Sequence, residues 1–345
     1  MTPADTPLLS VRSPADLVAA VPYLLGFHPA DSVVVVAMRG RRVTFAARLD
    51  LPDPADPVAP TRHLAAVVAR QAAETATVVG YGPAARVTPG VDAVRAALAD
   101  QGIPVLDALR VTDGRYWSYL CAEPDCCPAD GTPYDVSASE VTAAAVFAGQ
   151  VALPDRAALV AQVAPVEGPE RAALTRAAAR AERRLTRLVG RASDADLTSG
   201  RAVRAAGSAA VRLALRRQRR GDRLSDDEVA WLALLLTYLQ VRDLAWERTD
   251  GRDGDIALWC DVLRRAEPEF AAAPGSLLAF AAWRAGQGAL AAVALERTLA
   301  LHPDYSLACF LDDLLRQGVP PERLDGWPSP RTPGVLRRRR GRGSR

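Results

Sequence analysis

The sequence predicts a two-part protein, in which an α/β domain with a mixed sheet and flanking helices is followed by an all-α array of helical hairpins. Val-rich runs of strand length occur only before residue 137, and Ala, Arg and Leu recur at helical spacing after it. A chain of 345 residues with 49% hydrophobic residues is long enough to bury two cores. We expect an α/β domain at 9–150, a helical connector at 151–222, the hairpin array at 223–320 and a disordered Pro/Arg-rich tail at 321–345.

The first element is predicted to be a short helix. Ser13 suits the N-cap, Pro14 the first helical position, and Asp16 the positive end of the helix dipole. Proline lacks an amide proton and interrupts helices. The segment Pro22–Pro29 is therefore expected to be irregular.

A β-hairpin is predicted next. Ser32–Met38 and Val43–Leu49 are both compatible with strands, and Arg39-Gly40-Arg41 between them suits a tight turn. Apolar residues at helical spacing then predict a helix at His63–Glu74.

The next three elements predict a parallel strand pair joined by a crossover helix. Thr77–Tyr81 and Ile103–Val111 are strand-like, and Thr88–Asp100 between them is helical in pattern. A last strand at Arg115–Cys121 follows the turn Asp113-Gly114. With the hairpin before it, this order predicts a mixed sheet.

The second half of the chain is predicted to be entirely helical. A capping box at Ser225–Glu228 marks one helix start. The expected helices are Ser139–Ala148, Pro169–Val189, Leu197–Arg219, Ser225–Glu247, Ile256–Arg265, Ser276–Ala285, Ala289–Leu301 and Tyr305–Gln317.

One pair of these helices, Ser276 to Pro303, has the register of a tetratricopeptide-like unit, a hairpin of about 34 residues with small residues at the helix contact and a closing proline. The matching residues are Leu278, Ala279, Gly286, Ala291, Leu295 and Pro303. The sequence departs from the repeat at Gly275, Ala282 and Thr298.

A tetratricopeptide-like first helix predicts a concave surface that binds a protein partner. Ser276, Phe280, Trp283 and Arg284 would face such a surface. The alternative is that Phe280 and Trp283 are core residues beneath a neighbouring helix.

Three cysteines in one loop form the segment with the most distinctive chemistry. Cys121, Cys126 and Cys127 supply three thiols, one fewer than a structural zinc site requires. The candidate fourth ligands are His28, Cys260 and Cys309, and His28 is preferred because its segment has the more distinctive sequence. The thiols could instead be free and packed, or Cys121 could form a disulfide with Cys126 or Cys127. Zinc is therefore one of three alternatives.

Charge and hydropathy narrow the classes of partner. The chain has no Lys, and seven of its arginines lie in 331–345, so that residues 1–330 have a formal charge of −4 although the whole chain has +3. A nucleic-acid-binding face is therefore not expected outside the Arg-rich tail.

No apolar run reaches the roughly 18–20 residues that span a bilayer, and no export signal is visible. We expect a cytoplasmic protein without a membrane segment.

Signals of catalysis are sparse. Gly80-Tyr81-Gly82-Pro83 lies between a strand and a helix, where backbone amides can hold an anion, but it lacks the remaining residues of a phosphate loop, and a structural turn is the alternative. No catalytic triad, carboxylate pair or metalloprotease motif is present. The sequence thus favours a protein that is not an enzyme.

Several separated motifs resemble one family. They are Ser13–Leu17, Val21–Pro29, Asp31-Ser32, Trp117–Tyr119, Cys126–Pro128 and Ala282-Trp283 through Pro303–Tyr305. Together they resemble the actinobacterial domain-of-unknown-function family 4192 over roughly residues 9–325. This resemblance implies a bacterial cytoplasmic setting and no particular reaction.

Two functions follow as expectations. The first is a non-enzymatic interaction or regulatory protein that uses its helical array to bind a partner or to form a homo-oligomer. The alternative is an enzyme, or a sensor of a small ligand or metal, with its site between Pro22–Pro29 and Cys121–Pro128.

Overall fold

The computed structural model describes residues 12–40, 42–51, 58–136 and 139–324, apart from the side chains of Asp194 and Leu197. A six-stranded sheet occupies the first half. Its strands are β1 (Ser32–Arg39), β2 (Arg42–Asp50), β3 (Thr75–Tyr81), β4 (Val105–Thr112), β5 (Arg115–Ser118) and β6 (Thr132–Pro133). The predicted disordered tail at 321–345 begins too early, because Pro321–Leu324 forms a 3₁₀ helix; the rest of that tail and the turn residue Arg41 lie outside the described residues.

The sheet is mixed, as predicted, with strand order β2-β1-β3-β4-β5-β6. The hairpin of β1 and β2 is confirmed, and β3 and β4 are parallel neighbours. The remaining pairs are antiparallel. Asp113 and Gly114 both have positive φ, 50° and 69°, which is the backbone that a two-residue turn between β4 and β5 requires.

Helices cover both faces of this sheet. They are α1 (Pro14–Leu25), α2 (Val58–Arg70), α3 (Ala84–Asp100) and α4 (Glu140–Phe147). Alternate residues of a strand point to opposite faces. Val33 and Val35 accordingly pack with α2 and α3, whereas Val34 and Val36 pack with α1.

The predicted break at Pro22 is wrong. α1 continues through Pro22 to Leu25 and ends at Gly26, whose φ of 80° is left-handed. A proline inside a helix removes one backbone hydrogen bond. Pro22 is itself buried with Val18 and Val21, and this packing outweighs that loss.

The second half is helical, as predicted. Its helices are α5 (Arg156–Val163), α6 (Gly168–Gly190), α7 (Asp194–Thr198), α8 (Arg201–Arg219), α9 (Asp226–Leu235), α10 (Leu239–Trp246), α11 (Asp253–Arg265), α12 (Ala272–Arg284), α13 (Gly288–Leu301) and α14 (Ser306–Arg316), with short 3₁₀ helices at Pro268–Phe270 and Pro321–Leu324. No helix in the described ranges is long and apolar enough to cross a membrane.

Several helix boundaries differ from the predictions, and α2, α3 and α12 each begin four or five residues earlier than expected. Two expected long helices are each divided, the first at Gly200, whose φ is 61°, and the second at Thr237 and Tyr238 between α9 and α10. The helix α5 was not predicted, because its apolar residues span barely two turns and leave little periodicity to detect.

Close packing of α12 against α13 depends on small residues. Gly275 lies against Thr298, and a Cβ at Gly275 would overlap the Thr298 hydroxyl. The loop from Ala285 to Gln287 turns the chain between the two helices, and Gly286 supplies a φ of 76° there. The pair is therefore a tightly packed helical hairpin.

The two halves of the chain share one hydrophobic cluster. It extends from the α1-covered face of the sheet, through Leu159 and Val163 of α5, into the helices of the second half. A polar contact adds to it, because His63 and Arg70 of α2 bond the carbonyls of Arg316 and Gln317, at 2.9 and 3.0 Å. These side chains satisfy carbonyls at the end of α14, which have no partner within that helix.

Candidate metal centre

The loop between β5 and β6 begins at a serine that fixes its backbone. The hydroxyl of Ser118 accepts hydrogen bonds from the backbone N–H groups of Leu120 and Cys121, at 3.1 and 3.2 Å. The same hydroxyl donates to Asp107 Oδ1 of β4 at 2.9 Å. The start of the loop, including Cys121, is thereby held against the sheet.

Side chains of β5 hold the other end of the loop. Arg115 donates to the carbonyls of Asp130 and Gly131, at 3.0 and 2.6 Å, and pairs with the Asp130 carboxylate. The Trp117 indole N–H donates to Ala129 O at 3.1 Å, and the guanidinium of Arg110 lies 3.6 Å from the centre of the indole ring. Both ends of the loop are thus anchored to the sheet.

A tight turn brings the three predicted thiols together. The N–H groups of Cys126 and Cys127 both donate to Glu123 O, at 3.1 and 2.7 Å. The Sγ atoms of Cys121, Cys126 and Cys127 all lie within 4.8 Å of one another. Those of Cys126 and Cys127 are 3.9 Å apart, and all three cysteines are free. The structure therefore contains no disulfide in this loop.

Hydrogen bonds give Cys121 and Cys127 unequal pKa values. Two hydrogen bonds lower the pKa of the Cys121 thiol. The larger effect comes from the Cys127 thiol, which donates to Cys121, and the next from the backbone N–H of Glu123. Donating its hydrogen bond to Cys121 raises the pKa of Cys127 to about 12. Cys121 therefore ionises before Cys127, and a thiolate is the form that binds a metal.

The spacing of these sulfur atoms fits tetrahedral coordination. A zinc–sulfur bond of about 2.3 Å places two sulfur ligands about 3.8 Å apart. The separation of 3.9 Å between Cys126 and Cys127 is close to this value. In the described part of the chain, no histidine or carboxylate lies within 4.8 Å of all three sulfurs.

The expected fourth ligand, His28, is not part of the group. β1, which follows His28 in the chain, is three strand spacings, about 14 Å, from β5. The backbone N–H of His28 bonds Leu153 O at 2.9 Å, and its side chain is exposed. The three cysteines come together because they are near in sequence, whereas His28 is held elsewhere by the fold.

The residues predicted to bind a partner lie inside the protein. Ser276, Phe280 and Trp283 are 0%, 3% and 6% exposed. Phe280 packs edge-on against Trp246, and the Trp283 indole N–H donates to Val319 O at 3.1 Å. The half-buried Arg284 bonds Pro321 O. The earlier helix α10 and the chain after α14 cover these residues, so the four form no open surface.

The glycine-containing turn at residues 80–83 has a structural role. Gly80 is packed so closely on Val87 and Val91 of α3 that a Cβ would overlap them. The N–H of Gly82 is bonded to Val111 O at 2.9 Å and is therefore not free for an anion.

Sequence reasoning missed the residues that support the loop. Ser118, Asp107, Arg115 and Trp117 are polar or aromatic residues in or beside strands, and such residues are common on any solvated sheet. Two signals pointed towards them. A serine stands three residues before a cysteine, and serine hydroxyls bond nearby backbone N–H groups in turns. Trp117–Tyr119 is also one of the motifs that resemble the family.

Comparison with known proteins identifies one family. The family described as domain of unknown function DUF4192 matches residues 14–322. No curated protein and no solved structure matches the chain.

Proposed function

We propose a function from the chain's own residues, because the chain belongs to the DUF4192 family, a domain of unknown function, and this membership brings no activity with it. The proposed function is that of a metal-responsive regulatory protein. Cys121, Cys126 and Cys127 would hold one thiophilic divalent ion, for which zinc is the best candidate.

The observation that carries this proposal is the grouping of three sulfur atoms at ligand spacing. Structural zinc sites use four protein ligands, whereas sites with three leave one position for water or an exogenous ligand. The exposed Cys126 indicates that this position faces solvent. A small thiol, an anion or a side chain of a partner could then bind the ion.

The role of the remaining fold in this proposal is to support the site and to transmit its state. The second half would be a tetratricopeptide-like array, as its residue pattern suggests, with its first-helix surface already occupied by the chain itself. A cytoplasmic location belongs to the same proposal, because reducing conditions keep thiols available for a metal.

Metal analysis of the purified protein tests the proposal. We expect one zinc ion per chain, and a cobalt-substituted protein should show the absorption of sulfur-to-cobalt charge transfer. Cys127→Ser should lose the metal. Cys260→Ser and Cys309→Ser remove thiols outside the group and should retain it.

The same measurement can reject the proposal. Less than a tenth of an equivalent of metal after reconstitution, or equal metal content in Cys127→Ser and Cys260→Ser, would contradict it. If mass spectrometry instead showed Cys121 linked to Cys126 or Cys127, the loop would be a redox pair and not a metal centre.

A further inference from the structure

A groove in the second half combines an apolar wall with arginines. It encloses about 570 Å³ between α5, α13 and the segment after α11. This volume is typical of small-molecule sites. Its apolar wall consists of Val160, Val163, Val166, Val293, Ala300 and Leu301. Val160 and Leu301 are 40% and 44% exposed, so part of this wall is open to solvent.

One arginine without an ion pair among the described residues lines this groove, and a second, exposed arginine lies beside it. Arg297, which lines the groove, donates to Val163 O. Arg264 donates to the next carbonyl, Ala164 O, at 3.2 Å. Both guanidinium groups are therefore held at the C-terminal end of α5. Burial has the largest effect on the pKa of Arg297 and lowers it. The positive charges of Arg171 and Arg264 lower it further.

Nearby carboxylates are already bonded to other arginines. Glu296, which lines the groove, pairs with Arg156 at 2.5 Å, and Glu267 pairs with Arg171, which also lines it. No described carboxylate forms an ion pair with Arg264 or Arg297. Arg297 in the groove and the exposed Arg264 beside it therefore have no bound counterion among the described residues, and a half-buried charge such as that of Arg297 is costly unless an anion joins it.

We propose that this groove binds a phosphate monoester that carries an apolar chain. A phosphate monoester has a charge of about −1.5 to −2 at neutral pH, which matches two arginines, whereas a carboxylate supplies a single negative charge. Guanidinium groups bind phosphate oxygens through paired N–H donors. The apolar wall would bury the chain of the ligand. This site lies apart from the cysteine loop and does not depend on the proposed metal.

Calorimetric titration with dodecyl phosphate, below its micelle concentration, tests the proposal on the full chain. We expect saturable binding that weakens about fourfold for each methylene removed from the chain. Arg297→Gln and Arg264→Gln should each weaken binding at least tenfold. Arg62→Gln, an exposed arginine of α2 with the same charge change, should bind like the unmodified protein. Cys127→Ser should also leave binding unchanged.

Ligands of other charge decide what the groove recognises. Dodecanoate should bind more weakly than dodecyl phosphate, and dodecyltrimethylammonium should not bind. Equal binding of all three, no saturable binding of dodecyl phosphate, or undiminished binding by Arg297→Gln and Arg264→Gln with native circular dichroism would overturn the proposal.

Discussion

At the scale of single residues, the cysteine loop depends on contacts that hold its backbone before any metal binds. Ser118 satisfies two N–H groups of the loop and also bonds Asp107 of the sheet. Gly131, at the far end, has a φ of 80° and lies against the Trp117 ring. Such preorganisation lowers the conformational entropy that the chain loses when a ligand binds.

Gly131→Ala should destabilise the protein and weaken metal binding. Its Cβ would lie 2.6 Å from Trp117 Cζ2, in addition to the strain at positive φ. We expect a loss of about 1–2 kcal/mol from the backbone and about 1–3 kcal/mol from the overlap. Urea unfolding measures the loss of stability, and competition for zinc measures the weaker metal binding.

Gly114→Ala is the matched control for this prediction. Gly114 has a φ of 69°, and a Cβ there would meet nothing within 4 Å. It should therefore show the backbone cost alone. Equal losses in the two variants would mean that the contact with Trp117 does not constrain the loop.

At the scale of elements, helix ends are set by local hydrogen bonds. Ser225 and Glu228 form a capping box at the start of α9, as predicted. Glu228 also pairs with Arg217 of α8 at 2.9 Å. Burial alone would raise the pKa of Glu228, but the Ser225 N–H and Arg217 outweigh it and hold that pKa below its usual value near 4.5.

Glu228→Gln should lower the free energy of unfolding by roughly 0.5–1 kcal/mol at pH 7.5. Glutamine can still form the capping box, so the change isolates the charge. Because the folded-state pKa is depressed, this contribution is present above the unfolded pKa and is lost as pH falls through the folded value.

Urea unfolding at a series of pH values between 7.5 and 4 measures this effect. The difference between the unmodified protein and Glu228→Gln should shrink towards the acidic end. Glu182→Gln, at an exposed position of α6, should show little difference at any pH. A difference for Glu228→Gln that is constant with pH would exclude the charge as its cause.

At the scale of the whole molecule, the sheet and the helical half are parts of one packing unit. The hydrophobic cluster includes Val34 and Val36 of the sheet together with Leu277 and Leu295 of α12 and α13. The bonds from α2 to the end of α14 join residues some 250 positions apart in the chain. If the halves were separated, each would expose the part of this shared cluster that the other covers.

We therefore expect the whole protein to unfold in one cooperative transition. Native-state hydrogen exchange in rising urea should show the slowest amides of β1 and α13 converging on the same opening free energy. Val36→Ala should lower that energy for both elements, and Val58→Ala, at a position 45% exposed, should change neither. If Val36→Ala lowered the opening free energy of β1 but not that of α13, the two halves would be independent domains.

The sequence determined most elements because their signals are local. Alternation and helical periodicity placed the strands and most helices, the Asp113-Gly114 turn set a hairpin, and Ser225 marked a helix start. The three cysteines were also identified, since a span of only seven residues keeps Cys121 and Cys127 close in any compact loop. These signals depend on residues a few positions apart.

Tertiary structure alone decided what these elements touch. It allowed α1 to continue past Pro22, because burial of Pro22 offset the lost hydrogen bond. It placed His28 away from the thiols. It also buried Phe280 beside Trp246 and brought Arg264 and Arg297 to adjacent carbonyls. Such contacts join residues tens of positions apart, and no local pattern encodes them, because they arise from the packing of complete helices and strands into a common core.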